Sequence, residues 1–288
     1  TKASQTSLEV ETKSSLTFLK NIFFLRKFIQ KNKIHVVHAH SRSSSKLAYY
    51  ATLGLKVGYV STIHGVQHRS FSKKIFNQYG QFIIPVCQAI RSQLITDFKY
   101  APKKIKMIPN PIFIKQFVKS TPLSQKIKNN FLNIAIIGRT TGPKKIRTEL
   151  FIQHFSDLLK SKNIPHQFTL IGGQLNLPQT HSIPHTEING DLLRSYDMIC
   201  GSGRVCIEAM LAEVPCIAFG EALYCGLITS ENFHLFKQSN FGDIDLIHRN
   251  PVFNHQAAMK DIENFINQKT NLSDLRHLVE KHFCSKII

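Results

Sequence analysis

A glycine turn in the second half of the chain carries residues that could bind an anion. Gly201-Ser202-Gly203 lies between an apolar run that starts at Met198 and a helical pattern that stops before Pro215. We expect a strand, a turn, a helix capped by Ser202 and a second strand. Such a turn brings backbone N–H groups and the positive end of a helix dipole to the carboxyl edge of a parallel sheet, where diphosphates bind.

Glu208 belongs to the same candidate anion site, because it lies about two turns into the predicted helix that follows the glycine turn. Its carboxylate could accept hydrogen bonds from the hydroxyl groups of a ligand held at the turn. The alternative is an ordinary tight turn followed by a solvated glutamate. The turn alone does not decide between these two interpretations.

A second cationic element follows the apolar run Asn133–Ile137. Gly138 and Arg139 end this predicted strand, and Lys144 follows after a Gly-Pro turn. Two fixed cations at one sheet edge can hold a diphosphate and stabilise it as a leaving group. Since neither a carboxylate nor an Asp-x-Asp pattern lies beside them in sequence, we expect no metal here. Such turns are common on surfaces, but a second turn, Gly-Ser-Gly-Arg-x-x-x-Glu, follows about 65 residues later at another strand end, which favours a shared site.

Alternating apolar and amphipathic segments predict an α/β fold with parallel sheets. In the first half, strands at 34–40, 58–65, 81–86 and 105–108 alternate with helices, and His38, His40 and His64 lie at strand ends. In the second half we expect residues 174–190 to form loops and two amphipathic helices to end the chain, over 255–268 and 273–284.

Residues 16–31 have a helical pattern. We expect its apolar residues to pack on a sheet, with a membrane-surface helix as the alternative; they are Leu16, Leu19, Phe23, Phe24 and Phe28.

The charge is unevenly distributed. Residues 1–130 hold 22 Lys and Arg against 3 Asp and Glu, an excess of 19, whereas residues 131–288 hold 15 of each sign. This asymmetry indicates two domains with different partners and a polyanionic partner for the first, which could be an anionic membrane surface, a nucleic acid or a phosphorylated acceptor. Solvated lysines are the alternative.

The six cysteines form no Cys-x-x-Cys pair and indicate a reducing compartment. Because residues 1–15 are polar and lack an apolar stretch, we expect no signal peptide, and no apolar run reaches the roughly 18 residues that would cross a bilayer.

The motifs together resemble glycosyltransferase family 4, the retaining glycosyltransferases of group 1. Strand-Gly-Arg-x4-Lys, Phe-x-Leu-Ile-Gly-Gly and the Glu-Ala-Met helix resemble the carboxyl domain, and His-Val-Val-His-Ala-His-Ser, Ser-Thr-Ile-His-Gly and Ile-Pro-Asn resemble the amino domain. The resemblance covers roughly residues 30–235 in the same order. It implies two Rossmann-like domains (GT-B-like) with a sugar nucleotide between them, held mainly by the second domain.

The resemblance also implies roles for single residues. Arg139 and Lys144 would bind the donor diphosphate, Glu208 the ribose, and His64 the reacting sugar. His64, Arg139 and Lys144 are therefore the predicted catalytic residues, with no metal. The predicted donor-binding residues are Gly138, Arg139, Lys144, Gly172, Gly201, Ser202, Gly203, Arg204 and Glu208.

Two departures from the family pattern affect these expectations. The first Glu of the Glu-x7-Glu motif is replaced by Cys200, whose neutral thiol cannot accept the same hydrogen bonds, and the turn amides with Arg204 would have to substitute. The His-Ala-His-Ser strand also starts at residue 34, so the first domain is predicted to be incomplete, either truncated or split. A separate chain would then supply its opening strands.

We therefore expect a disordered segment over 1–15, a partial amino-terminal domain over 16–118, a linker over 119–131, a nucleotide-sugar domain over 132–268, and a last helix within 269–288 that packs back on the first domain. The predicted function is retaining, metal-independent transfer from a UDP- or GDP-sugar to a glycan or lipid-linked acceptor of the lipopolysaccharide or capsule type. We expect no cofactor, no nucleic-acid partner, and a cytoplasmic chain on the inner face of an anionic membrane. Alternatives are a sugar-nucleotide 2-epimerase and a catalytically degenerate binding subunit.

Overall fold

The computed structural model describes residues 14–67, 78–117, 131–245, 254–267 and 270–284. The predicted disordered segment therefore lies outside the described residues except for 14 and 15, and the predicted linker except for 131. The chain divides into two compact units, Thr1–Ile108 and Pro109–Ile288. The domain boundaries inferred from sequence, and the packing of the last helix on the first domain, stay predictions.

The first unit contains a parallel sheet of three strands in the order β1-β2-β3. These are β1 (Val36–Ala39), β2 (Gly58–Ile63) and β3 (Phe82–Pro85), and the helices are α1 (Ser15–Lys31), α2 (Arg42–Thr52) and α3 (Gln88–Thr96). The predicted fourth strand does not form a regular strand, but its segment lies parallel to β3. Ile105 bridges Ile83, and the N–H groups of Lys106 and Ile108 donate to the carbonyls of Ile83 and Pro85 at 3.0 and 3.1 Å.

Helix α1 packs on α2, and the prediction for its buried face is also wrong. Phe18 stacks edge-on against Tyr50 at 6.1 Å between ring centroids, and Arg26 Nη1 donates to the Leu53 carbonyl at 2.6 Å. Ile29 is buried. The residues predicted to pack on a sheet are all exposed: Leu16, Leu19, Phe23, Phe24 and Phe28. The helix has apolar residues around most of its circumference, so sequence periodicity did not identify the inner side.

The second unit contains a six-stranded sheet in the order β6-β5-β4-β7-β8-β9, parallel except for β9. The strands are β4 (Leu132–Ile137), β5 (His166–Ile171), β6 (Thr180–Ile183), β7 (Met198–Gly201), β8 (Cys216–Phe219) and β9 (Tyr224–Leu227). The predicted loop over 174–190 thus contains β6. The helices are α4 (Pro143–Ser161), α5 (Gly190–Arg194), α6 (Arg204–Leu211), α7 (Phe233–Gln238), α8 (His255–Ile266) and α9 (Leu272–Phe283).

Helices cover both faces of this sheet and bury two apolar clusters. One cluster centres on Phe151, Phe155 and Phe168, and the other includes Met210 and Val279, which lies on the last helix. The chain runs from β4 outwards to β5 and β6, and then returns to β7 on the other side of β4. This reversal opens a crevice at the carboxyl ends of β4 and β7, which is where ligands bind in doubly wound sheets. The α/β class with Rossmann-like architecture is confirmed.

Candidate functional site

The two turns singled out from the sequence meet at the carboxyl ends of β4 and β7. The two strands are direct neighbours, with Ile136 opposite Cys200. One small pocket is lined by residues from both turns, namely Ile136, Ile137, Gly138, Arg139, Thr140, Lys144, Arg147, Thr148, Gly201, Ser202, Phe219 and Gly220. The predicted convergence of the two turns is therefore present in the structure.

The cations of this pocket come from the strand end and from the first turn of α4. Arg139 is exposed and has no ion-pair partner in the part of the chain that the structure describes. Lys144 Nζ lies 3.7 Å from Asp243 Oδ1. Helix α4 has 19 residues and starts after Gly142, so its N-terminal dipole adds positive potential on the side of Lys144. Arg139 is thus available to an anionic ligand, whereas Lys144 is shared with a carboxylate.

Asp243 is the residue of this site that sequence reasoning missed. Ser202 Oγ donates to Asp243 Oδ1 at 2.5 Å, and Asn240 Nδ2 donates to Oδ2 at 3.2 Å. Asp243 follows Ser202 by 41 positions, so no local spacing could reveal it. The sequence-based statement that no carboxylate accompanies the cations is wrong for the folded chain. Asp243 partly neutralises Lys144 and fixes the Ser202 hydroxyl.

The Gly201-Ser202-Gly203 turn differs in detail from its prediction. The N-cap of α6 is Gly203, not Ser202, whose hydroxyl is held by Asp243. Gly203 has φ +56°, and a Cβ there would lie 2.8 Å from Asp243 Oδ2. Its N–H donates to the Asn240 carbonyl at 3.1 Å, so this amide is not available to a ligand. The turn is therefore fixed by the loop that carries Asn240 and Asp243.

Glu208 is buried rather than solvated, with only 4% of the residue exposed. Its Oε1 accepts from Arg204 Nε at 2.6 Å. Burial raises the pKa of the Glu208 carboxyl, and the Arg204 guanidinium opposes this increase. Oε2 has no hydrogen-bond partner in the described part of the chain, so one oxygen can still accept from a ligand. Neither Glu208 nor Arg204 lines the small pocket.

Cys200 and Gly172 lie at the same edge without entering the pocket. Cys200 is fully buried inside β7, where burial, and to a lesser degree Cys216, raise the pKa of its thiol. It cannot stand in for a ligand-binding carboxylate. Gly172 follows β5 with φ +77°, and a Cβ atom added to it would lie 3.5 Å from His185 Nδ1.

His64 belongs to the first unit, at the end of β2. A cavity of about 190 Å³ is lined there by His40, Ser41, Arg42, Thr62, Ile63, His64, Gly65, Gln67 and Tyr79. His40 Nδ1 and His64 Nε2 are 3.4 Å apart, and His38 Nε2 lies 2.8 Å from Thr62 Oγ1. Burial lowers the pKa of His38, with smaller contributions from His40 and His64.

Comparisons with known proteins agree with the fold. The family described as Glycosyltransferase Family 4 matches residues 10–116. A relative from Arabidopsis thaliana, one of the subunits of phosphatidylinositol N-acetylglucosaminyltransferase, is 23% identical over 236 residues, covering 71% of this chain. The alignment spans 48% of that relative, so this chain covers about half of the curated relative's length.

Solved structures of several activities share this fold. A glycosyltransferase from Rickettsia africae superposes with a TM-score of 0.71 at 18% identity, covering 99% of this chain and 81% of the other. The lipopolysaccharide outer core galactosyltransferase WaaB gives 0.62 at 12%, covering 94% and 77%. The UDP-GlcNAc 2-epimerase of Methanocaldococcus jannaschii gives 0.51 at 13%, covering 94% and 83%. The chain thus has the GT-B fold of glycosyltransferases, which epimerases also use.

Proposed function

We propose that this protein transfers a sugar from a UDP- or GDP-sugar to a hydroxyl of a glycan or lipid-linked acceptor. The observation that carries the proposal is the pocket at the carboxyl ends of β4 and β7, where Arg139, Lys144 and Ser202 come together. Two cations at the switch point of a doubly wound sheet suit a diphosphate. The match to a family 4 model and the likeness to part of an N-acetylglucosaminyltransferase support transfer as the reaction class.

The proposed step breaks the bond between the anomeric carbon and the diphosphate oxygen. The acceptor hydroxyl oxygen forms the new bond on the same face, and its proton passes to the departing diphosphate, so the anomeric configuration is retained. Arg139, Lys144 and the α4 N-terminus neutralise the charge that builds on the leaving group. By resemblance, His64 contacts the reacting sugar and Glu208 Oε2 accepts from the ribose.

The donor site has little free space as it stands. Its open volume is about 30 Å³, room for about two water molecules but not for a diphosphate. A diphosphate would therefore displace Lys144 from Asp243, and the released ammonium would pair with the phosphate oxygens. Donor binding thus exchanges one ion pair for another.

The experiment that tests this function is an assay of UDP and GDP release from a set of sugar nucleotides, with and without lipid-linked acceptors. We expect acceptor-dependent release and a product whose anomeric configuration, read by NMR, equals that of the donor. Interconversion of two sugar nucleotides without an acceptor would instead establish the epimerase, which shares the fold. Binding of nucleotide without any turnover would establish a non-catalytic subunit.

Metal independence is tested in the same assay. Because cations of the protein are assigned to the leaving group, EDTA should leave the rate unchanged within about twofold. A loss of more than tenfold that Mg²⁺ or Mn²⁺ restores would contradict this part of the proposal.

We also propose that the reaction takes place at the inner face of an anionic membrane, as the excess of 19 positive charges in residues 1–130 favours. No helix within the described ranges is long and apolar enough to cross a membrane. The proposed acceptor class, lipopolysaccharide or capsule, fits a membrane location. One relative is named for phosphatidylinositol, and one structural neighbour for the lipopolysaccharide outer core.

A further inference from the structure

The side of α1 that faces away from α2 exposes an unusual set of large apolar side chains. Leu16, Leu19, Phe23 and Phe24 are exposed by 64%, 50%, 68% and 48%. We call these four residues, together with Lys20 and Lys27, the outer face of α1. A folded domain rarely leaves two phenylalanines and two leucines together in water, so this face is suited to a partner.

Lysines lie among the apolar residues of this face rather than on the opposite side of the helix. At 100° per residue, Lys20 and Lys27 project between Leu16, Phe23 and Phe24. Both lysines are exposed. The helix carries four basic residues and no acidic one. The outer face is therefore both apolar and positively charged.

The combination of apolar side chains and lysines on the outer face of α1 distinguishes between the possible partners. An apolar protein surface would bury the lysine ammonium groups without counter-charges, which is costly. A second copy of α1 would place lysines opposite lysines, and the helix offers no carboxylate to pair with them. In an anionic bilayer, the aromatic rings enter the acyl boundary while the lysine stems extend the ammonium groups to the phosphates.

The helix is held so that this face points outward. Arg26 Nη1 donates to the carbonyls of Ala51 and Leu53 at 3.3 and 2.6 Å, which fixes α1 to the end of α2. Lys46 Nζ lies 4.9 Å from the centroid of the Phe18 ring on the inner side. The contacts of α1 with the rest of the unit therefore use its other side.

We propose that the outer face of α1 docks the chain on an anionic membrane, with Phe23 and Phe24 inserted at the acyl boundary and Lys20 and Lys27 on the headgroup phosphates. This proposal names the surface through which the proposed membrane association would take place. It rests on the proposed function only for that association and not for the sugar transfer. It replaces the sequence-based expectation that these apolar residues pack on a sheet.

The test is co-sedimentation of the full chain with vesicles of phosphatidylcholine, with and without phosphatidylglycerol. Phe23→Ser/Phe24→Ser should weaken binding to anionic vesicles by roughly tenfold or more, since two large apolar side chains no longer leave water. Lys20→Gln/Lys27→Gln should weaken it roughly fivefold per lysine, the fold-change that corresponds to about 1 kcal/mol. The lysine effect should disappear on vesicles without phosphatidylglycerol.

Matched controls come from exposed residues elsewhere in the chain. Phe113 is 69% exposed, and Lys104 is exposed in the first unit. Phe113→Ser and Lys104→Gln should leave vesicle binding within about twofold of the unsubstituted chain. Circular dichroism and UDP binding should be unchanged in every variant, because none of these residues lies in the donor pocket.

Two results would overturn the proposal. One is equal vesicle binding by Phe23→Ser/Phe24→Ser and Phe113→Ser. The other is a dimer in light scattering that only the double phenylalanine variant dissociates, which would make a second copy the partner. If either result is obtained while UDP binding is intact, the membrane proposal fails and the proposed sugar transfer is unaffected. If nucleotide turnover is absent while vesicle binding is intact, the proposed sugar transfer fails and the membrane proposal is unaffected.

Discussion

At the residue scale, Asp243 determines how the proposed donor pocket is charged. Its Oδ1 accepts from Ser202 Oγ and lies 3.7 Å from Lys144 Nζ, while Oδ2 accepts from Asn240. The carboxylate thus orders the turn and at the same time competes with a diphosphate for Lys144. Arg139 has no such competitor among the described residues, so we assign it the first contact with an incoming diphosphate.

Asp243→Asn should raise the affinity for UDP or GDP by roughly fivefold. Removing the negative charge frees Lys144, and a partly exposed pair of this kind is worth at most about 1 kcal/mol. The matched control is Glu149→Gln, because Glu149 pairs with Lys145 at 3.9 Å on the same helix. Isothermal titration calorimetry measures both variants. Weaker binding by Asp243→Asn would mean that ordering Ser202 matters more than the charge.

Glu208 gives a prediction about pH and stability. Burial raises the pKa of its carboxyl above the ordinary value of 4.5, so the folded chain binds this proton more tightly than the unfolded chain does. Its contribution to the free energy of unfolding is therefore largest below about 4.5 and falls as the pH rises through the raised pKa. Glu208→Gln lacks this dependence.

Urea denaturation of both proteins between about pH 4 and about pH 7 tests this point. The free energy of unfolding of the unsubstituted chain minus that of Glu208→Gln should decrease with rising pH. A constant difference would contradict the raised pKa by showing that the Arg204 pair cancels the effect of burial, and a difference that increases with pH would show that the pair outweighs burial.

At the element scale, the strand-turn-helix units position the site, and these units could be predicted from sequence. The apolar runs before Gly138 and Gly201 form strands, as their apolar residues and glycine ends indicate. The structure adds that the two strands are adjacent and parallel. The second-unit strands that were missed, β6 and β9, have four residues each and form the two edges of the sheet. The missed helix α7 has six residues, and segments this short have little hydrophobic periodicity. Asp243 and the outward face of α1 depend on tertiary contacts, which spacing does not encode.

Gly203→Ala should lower the free energy of unfolding by about 2 kcal/mol or more and weaken UDP binding. The new methyl group would meet Asp243 Oδ2 at 2.8 Å in a backbone conformation with φ +56°, which side chains rarely adopt. Gly142 has φ +60° and open space around its Cβ position. Gly142→Ala is therefore the control for backbone strain alone, which costs on the order of 1–3 kcal/mol, and Gly203→Ala should cost more than this control. Equal losses in the two variants would exclude a steric role for Gly203.

At the scale of the whole molecule, the excess of positive charge lies in the first part of the chain and the proposed donor pocket in the second. The excess of 19 positive charges within residues 1–130 suits a membrane or a nucleic acid equally on electrostatic grounds. The apolar outer face of α1 favours the membrane, because nucleic-acid binding by charge alone gives no reason to expose Phe23 and Phe24.

Duplex and single-stranded DNA should therefore bind no more tightly than roughly 10⁻⁶ M at physiological salt, the range of non-specific contacts. Fluorescence anisotropy over a series of salt concentrations measures this affinity. Binding tighter than this limit, with a preference for one sequence or strand form, would make nucleic acid a specific partner.

The central claim is that Arg139 and Lys144 hold the donor diphosphate at the ends of β4 and β7. Calorimetric titration of UDP and GDP into the unsubstituted chain, Arg139→Ala/Lys144→Ala and Lys145→Ala tests it most directly, because Lys145 is a neighbouring lysine that does not line the pocket. The account predicts a loss of roughly a hundredfold in affinity in the double variant, at about 1.5 kcal/mol or more for each charged hydrogen bond, and no change in Lys145→Ala. Unchanged nucleotide affinity in Arg139→Ala/Lys144→Ala would contradict it.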